Sequence, residues 1–402
     1  MRPSRSSPLR YSESVRIAVV HHWFVTRGGG ERVAECIASL FPSAEIFTLV
    51  ASPAGLPESL RQRKLHTSLL QKLPRATTHH RHYLPLYPTA VEHLDLRGFD
   101  LVLSSDSGPV KGIRLAPGAV HICYCHSPMR YLWDGYQSYR SAMPPLTRAL
   151  FTLTAPRIRR WDRAAAQRVT HFLANSRYVQ DRILRAYGRT STVLHPPIDL
   201  HRAAAVASIP PEDHYLCAGR LVAYKRTEIL LEACLRLNRK LRIAGAGPEL
   251  AALQRLAAGN PLIEFLGELS TADLWAEFAR CRALLFAADE DFGMIPLEAQ
   301  ACGRPIIAFG AGGSLETVRG TDGPNPRTGT YFAEQTAASA AQAIADWEQH
   351  FEPAFDPQHA RDWAAHFTTP GFLAAYRAFV LDRIPAAEPF AISAAEALHR
   401  LS

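Results

Sequence analysis

Arg16-Ile-Ala-Val-Val-His21 is an apolar run, Gly28-Gly29-Gly30 a glycine turn, Glu31 to Leu40 a stretch with Val33, Ile37 and Leu40 at helical spacing, and Ala44 to Val50 a second apolar run. Strand, turn, helix and strand in that order begin a parallel α/β sheet. Glycines let the backbone approach a ligand, and the helix N-terminus offers free N–H groups, so the turn suits an anion. A plain tight turn would have the same composition. It is not a dinucleotide fingerprint, because the third glycine of that motif would stand where Val33 does.

Outward from this unit the alternation continues. Short apolar strands are expected at 100–104, 121–125 and 171–174, with a helix at 176–186. Thr192-Val-Leu-His-Pro-Pro-Ile-Asp199 carries a Pro pair and reads as a domain end. A second series follows, with strands at 214–218, 240–244, 262–266, 282–286 and 305–308 and helices at 225–236, 247–257, 271–280 and 294–302. A helix at 371–383 follows Pro370, and the Ala-rich 386–402 adds another. The expected architecture is α/β, with two Rossmann-like doubly wound domains, 15–204 and 205–370, after a polar, disordered tail at 1–14. Ligands bind at strand C-termini in such sheets, so a central cleft between the domains is the expected site.

The chain has 402 residues, 47% hydrophobic and 20% charged, as a globular protein of two or three domains does. Its net charge is +8, unevenly spread. Residues 1–200 hold 27 basic and 13 acidic side chains, net +14; residues 201–402 hold 18 and 24, net −6. The first domain thus faces something anionic: nucleic acid, a membrane or a phosphorylated substrate. No apolar run approaches the ~18 residues of a spanning helix. The basic start, Met1-Arg-Pro-Ser-Arg-Ser-Ser, leads into no apolar signal region, so no secretory signal is expected. Seven scattered cysteines (Cys36, Cys123, Cys125, Cys217, Cys234, Cys281, Cys302) without a C-x-x-C read as reduced core thiols of a cytosolic protein.

Glu290-Asp-Phe-Gly-Met-Ile-Pro-Leu-Glu298 is the most specific motif. Glu290 follows a strand and Glu298 lies in the next helix. Carboxylates accept from vicinal hydroxyls, so the pair suits a sugar and a ribose. The D-x-D at 289–291 and the D-F-G at 291–293 lack the context of a metal site or a kinase, and there is no Walker A sequence. Arg220 and Lys225 follow the first strand of the second domain, where two cations suit a diphosphate or form plain surface charge. Ile243-Ala-Gly-Ala-Gly-Pro-Glu249 is a further strand–glycine turn. His121-Ile-Cys-Tyr-Cys-His126 has no second cluster to complete a zinc site, and His126, at the strand end, is a base, a hydrogen bonder or a structural residue. Basic-aromatic stretches at 60–88 and 140–168 read as membrane contacts or as solvated faces; Leu146, Leu150 and Leu153 make the second amphipathic.

Taken in order, Gly28-Gly-Gly-Glu31, Cys125-His-Ser-Pro-Met-Arg-Tyr-Leu-Trp-Asp134, Ala174-Asn-Ser-Arg177, Gly219-Arg-Leu-Val-Ala-Tyr-Lys225, Gly245-Ala-Gly-Pro248 and the Glu290/Glu298 pair resemble the family-four retaining glycosyltransferases of the GT-B fold, over about residues 16 to 383. The 126–134 run and Leu194-His-Pro-Pro-Ile-Asp199 look most like bacterial mannosyltransferases of O-antigen and exopolysaccharide assembly. The resemblance implies a nucleotide-sugar donor, GDP-mannose first and a UDP-sugar as the alternative. Arg220 and Lys225 would hold its diphosphate and Glu298 its ribose. Glu290 and the N–H groups of Phe292, Gly293 and Met294 would hold the sugar, and the backbone near Leu269 the base. Gly29 and Gly30 would close on the phosphates, and His126 would lie beside the sugar. Asp291 departs from the family's usual small residue.

The resemblance further implies that 371–402 packs on the first domain, that no cofactor or metal is needed, and that the acceptor is a lipid-linked saccharide. The protein would then be cytoplasmic, held peripherally at the inner face of the plasma membrane by its basic domain. Other classes fit less well. A nucleic-acid binder would need a motif that is absent. A nicotinamide oxidoreductase would need a G-x-G-x-x-G. A non-catalytic assembly partner would not need Glu290, Glu298, Arg220, Lys225 and His126 together.

Overall fold

The computed structural model describes residues 15–320 and 326–401. The tail expected at 1–14 lies outside them. The chain divides into two compact units: one made of the residues up to His195 and those from Pro370, the other of Pro196–Thr369.

In the first unit seven parallel strands are ordered β3-β2-β1-β4-β5-β6-β7. They are β1 (Ile17–Phe24), β2 (Glu45–Ala51), β3 (Leu65–Thr67), β4 (Leu101–Asp106), β5 (Val120–Cys125), β6 (His171–Ala174) and β7 (Thr192–Val193). Strand side chains alternate between faces, and here both faces are apolar. Ile17, Val19, Leu101 and Leu103 enter one core, and Ala18, Val20 and Val102 the other. The helix Gly29–Leu40 lays Val33, Ile37 and Leu40 on the first core. Phe372, Leu373, Tyr376 and Val380 of the helix Thr369–Arg383 fill the same core, so the end of the chain is built into the unit where it began.

The second unit repeats the plan with six parallel strands ordered β10-β9-β8-β11-β12-β13. They are β8 (Tyr215–Ala218), β9 (Leu241–Ala244), β10 (Ile263–Gly267), β11 (Ala283–Phe286), β12 (Ile306–Phe309) and β13 (Gly329–Phe332). Tyr215 and Cys217 face one core, Leu216 and Ala218 the other. In both sheets the strand order reverses beside the first strand, between β1 and β4 and between β8 and β11. Open α/β sheets bind ligands beyond the strand ends at such a reversal.

Three expectations change. The first unit ends at His195, not at 204: the Ile198 N–H donates to the Phe367 carbonyl at 2.8 Å, and Ala203 and Val206 join the second unit's core. The helix expected from 225 begins at Thr227, because Arg226 has φ 53° and ends a short turn before it. β3, β7 and β13 were not read from the sequence. The long helix Pro145–Ala166 spans most of the second basic stretch.

Candidate active site

At the reversal in the second unit, the ends of β8 and β11 line a small concavity through Ala218, Gly219, Arg220, Lys225, Phe286 and Ala288. The turns here demand glycine. Gly245 has φ +139°, and a Cβ on it would lie 1.9 Å from the Gly219 carbonyl oxygen. The turns after β8 and β9 therefore touch backbone to backbone. Lys225 ion-pairs through Nζ with Glu290 Oε1, and its ammonium sits 5.5 Å from the centre of the Phe286 ring. Burial lowers the lysine's pKa, but the charge and hydrogen bond of Glu290 more than offset this, so it stays above its ordinary value. Arg220 is exposed, and its guanidinium makes no hydrogen bond or ion pair among the described residues. One cation of the expected pair is thus matched to a carboxylate, and the other is open.

Glu290 is held by its backbone. Its carbonyl accepts from the Gly313 N–H at 2.7 Å, and Cβ atoms at Gly312 or Gly313 would strike the 289–292 loop within 2.6 Å. The Gly310-Ala-Gly-Gly-Ser314 turn is thus a support that the sequence reading missed, although a glycine run after a strand was the signal for it. Phe292 turns its ring into the core, 5.8 Å from that of Phe367. Gly293, at φ +86°, caps the helix Met294–Ala301. The first N–H groups of that helix have no partner within it. Pro296, in the first turn, has no N–H to satisfy. Glu298 lies on this helix. Burial pushes its carboxyl up to about 7, with Arg202 lowering it and Asp199 raising it. Leu269 packs beside the core on the loop after β10.

At the reversal in the first unit the groups are of another kind. His21 and Ser105 are paired across β1 and β4. His21 Nδ1 lies 3.0 Å from the Ser105 carbonyl, which only accepts, so this nitrogen carries the proton. Ser105 Oγ lies 2.8 Å from His126 Nε2. Ser105 thus ties down one nitrogen of His126, while Nδ1 has no partner among the described residues. Burial, helped by His22, lowers the His126 pKa to about 3, and burial lowers His22 to about 3. Both rings are neutral at pH 7. Gly30 covers all three rings: a Cβ there would meet His21 at 3.6 Å, His126 at 3.7 Å and His22 at 3.9 Å. Gly29 and Gly30 are the first and second residues of their helix.

Beneath this cluster lies a charge network that the sequence did not show. Lys111 Nζ lies 3.0 Å from Asp106 and 2.9 Å from Asp162, all three side chains being fully buried. Trp133 Nε1 and the Tyr187 hydroxyl each donate to Asp162 at 2.8 Å. The His126 N–H donates to the Asp106 carbonyl at 2.8 Å. The network therefore clamps both ends of the 126–134 loop. His121 is committed to Ser104 Oγ at 2.8 Å. Burial pushes the Cys123 and Cys125 thiols up. All seven cysteines are buried without disulfides. Among the described residues no three His, Cys, Asp or Glu side chains are grouped to hold a metal ion, and no helix is long and apolar enough to cross a membrane.

Residues 205–355 match the family described as "Glycosyl transferases group 1", and residues 27–202 match "Glycosyltransferase Family 4". The chain is 31% identical over 200 residues to the GDP-mannose-dependent alpha-(1-6)-phosphatidylinositol monomannoside mannosyltransferase of Mycolicibacterium smegmatis, covering 42% of this chain and 51% of that one. It is 30% identical over 210 residues to the D-inositol 3-phosphate glycosyltransferase of Mycobacterium avium, covering 46% and 48%. It spans about half the length of the curated relatives it matches. Among solved structures, Anabaena Alr3699/HepE in complex with UDP and glucose superposes with a TM-score of 0.67 at 17% identity, over 92% of this chain and 100% of that one. Sucrose-phosphate synthase from Thermosynechococcus elongatus does so with a TM-score of 0.67 at 17% identity, over 93% and 100%. The fold is that of these GT-B structures.

Proposed function

The chain belongs to the GT-B glycosyltransferases, joining a family 4 N-terminal part to a group 1 C-terminal part, and from that premise we propose that it is a retaining hexosyltransferase that moves mannose from GDP-mannose to a lipid-linked saccharide in cell-surface polysaccharide assembly. The observation that carries this reading is the meeting of Lys225 and Glu290 at the β8/β11 reversal, beside the open Arg220. A diphosphate gains charge as it leaves the sugar, and fixed cations stabilise that charge more in the transition state than in the ground state. Arg220 and Lys225 fill this role without a metal. Lys225 exchanges Glu290 for the phosphates, which frees the Glu290 carboxylate to accept from sugar hydroxyls. The N–H groups at Phe292, Gly293 and Met294 add donors. Glu298 takes the ribose hydroxyls, and the backbone near Leu269 meets the base.

In the first unit the neutral His126 offers Nδ1 to the acceptor, and the N–H groups of Gly29 and Gly30 offer donors to an anion. The leaving phosphate takes the acceptor's proton on the face it departs from, and configuration is retained. Glu290 acts as a hydrogen bonder. The mannosyl choice rests on the named activity of the mycobacterial relative; the surplus of cations in residues 1–200 supports an acceptor presented at the inner face of the plasma membrane.

Thermal shift and hydrolysis with GDP-mannose, UDP-sugars and ADP-sugars test the donor. GDP-mannose should give the largest rise in Tm. A preference for a UDP-sugar would remove the mannosyl assignment, and no response to any nucleotide sugar would remove the function. Turnover unchanged by EDTA is expected; loss restored by a divalent cation would overturn the metal-free mechanism.

A further inference from the structure

The helix Pro145–Ala166 is apolar on two opposite faces. Its inner face, Phe151, Ala155 and Ile158, packs with Met129 and Leu132. Its outer face carries Leu146, Leu150 and Leu153, which are 85%, 53% and 70% exposed. At about 100° per residue these leucines and Arg157 and Arg160 lie within roughly 40° of one line along the helix. Three leucines therefore lead directly into two exposed arginines on a single stripe, turned away from the core. Among the described residues the three leucines and two arginines stay exposed.

Charge selects the partner. The one acidic residue of this helix is Asp162, which is buried and paired with Lys111. The guanidinium groups of Arg157, Arg160 and Arg163 make no ion pair or hydrogen bond among the described residues. A second copy of the chain would bring the same cations and no carboxylate of this helix to meet them. A surface with anions above an apolar layer satisfies both halves of the stripe.

We propose that the stripe Leu146–Leu150–Leu153–Arg157–Arg160 is a docking surface for an anionic lipid bilayer. The helix lies in the plane of the interface, with the leucines at the headgroup–acyl boundary and the arginines on lipid phosphates. This rests on the reading that the acceptor is carried by lipid, and it names the element that brings the enzyme there.

The test is co-sedimentation of the full chain with phosphatidylcholine vesicles, with and without phosphatidylglycerol. Wild type should bind only the anionic vesicles. R157S/R160S should bind about 25-fold more weakly, roughly fivefold for each cation removed. L146S/L150S/L153S should lose at least ~10-fold. All five positions being exposed and outside the machinery described above, both variants should keep the wild-type Tm and its response to the nucleotide sugar. Equal vesicle binding by the leucine variant overturns the proposal. So does a wild-type dimer that this variant splits in light scattering while vesicle binding is unaffected, which would assign the stripe to a second copy. If vesicle binding follows the stripe but no nucleotide sugar shifts the Tm, the docking surface stands and the transferase reading falls.

Discussion

The two units fold on the same plan, and each gathers polar or charged groups where its strand order reverses, yet their local charges run against the charge of their halves. The first half is net +14, but its reversal is lined by neutral histidines and a hydroxyl, and its buried lysine is matched by two aspartates. The second half is net −6, but its reversal presents Arg220 and Lys225. Net charge thus describes the outside of each unit. What lies at the strand ends is set by a few side chains whose counter-charges are fixed or missing.

The contrast is broken most forcefully at the two lysines. Lys111→Met leaves Asp106 and Asp162 buried with no cation, so stability should fall by about 3–5 kcal/mol in urea unfolding. Lys225→Met breaks a largely buried pair that still touches solvent, at 12% and 19% exposure, and should cost less, about 1–3 kcal/mol. Its kcat/KM should fall by about 100- to 1000-fold, as should that of Arg220→Ala with unchanged Tm. If Lys225→Met unfolds the protein while Lys111→Met merely slows it, the contrast is reversed.

The next effect separates the two carboxyls that burial pushes up to about 7, Glu31 in the first unit and Glu298 in the second. The folded chain keeps these protons at pH values where the unfolded chain has released them. Their contribution to stability is therefore full below the ordinary 4.5 and is lost as pH rises through 7, at up to ~1.4 kcal/mol per pH unit for one proton. Glu31→Gln and Glu298→Gln should each flatten that fall in urea midpoints taken from pH 5 to 8. Saturating nucleotide sugar should change the slope of wild type and Glu31→Gln, not of Glu298→Gln.

Ser105→Ala sharpens the comparison on the first unit's side. Losing one hydrogen bond to His126 should lower kcat about tenfold, or ~1.4 kcal/mol, with donor KM unchanged. An unchanged kcat would mean that the tie to Nε2 does not position the ring. The smallest effect is expected of Gly30→Ala, whose added methyl meets its neighbours at ordinary contact distance. Its Tm should move by no more than a few degrees, equivalent to ~1 kcal/mol or less. Gly245→Ala, which forces two backbones apart, should be far worse.

The second unit was the more legible in sequence. Its strands are short apolar runs, each followed at once by glycines and charges, so local spacing located the strand ends where Arg220, Lys225 and Glu290 are brought together. In the first unit the decisive contacts are long-range. His21 and Ser105 stand 84 residues apart, and nothing in either neighbourhood announces the pairing. Lys111 follows a Gly-Pro turn and reads as an ordinary surface lysine until its full burial is seen. β3 and β7 have three and two residues, too few for a period to register. Thr192 and Val193 become a strand only because β6 is there to pair with them.

The return of the helix Thr369–Arg383 to the first unit has a consequence for biosynthesis. Phe372, Leu373 and Tyr376 complete a core begun by Ile17 and Val19. The second unit is continuous and can close as it leaves the ribosome. The first cannot, and at about 5–20 residues per second it waits roughly 9–35 s for its missing piece. During that interval a greasy groove stands open on the nascent chain, a target for a holding chaperone, and the part made first is the last to be finished.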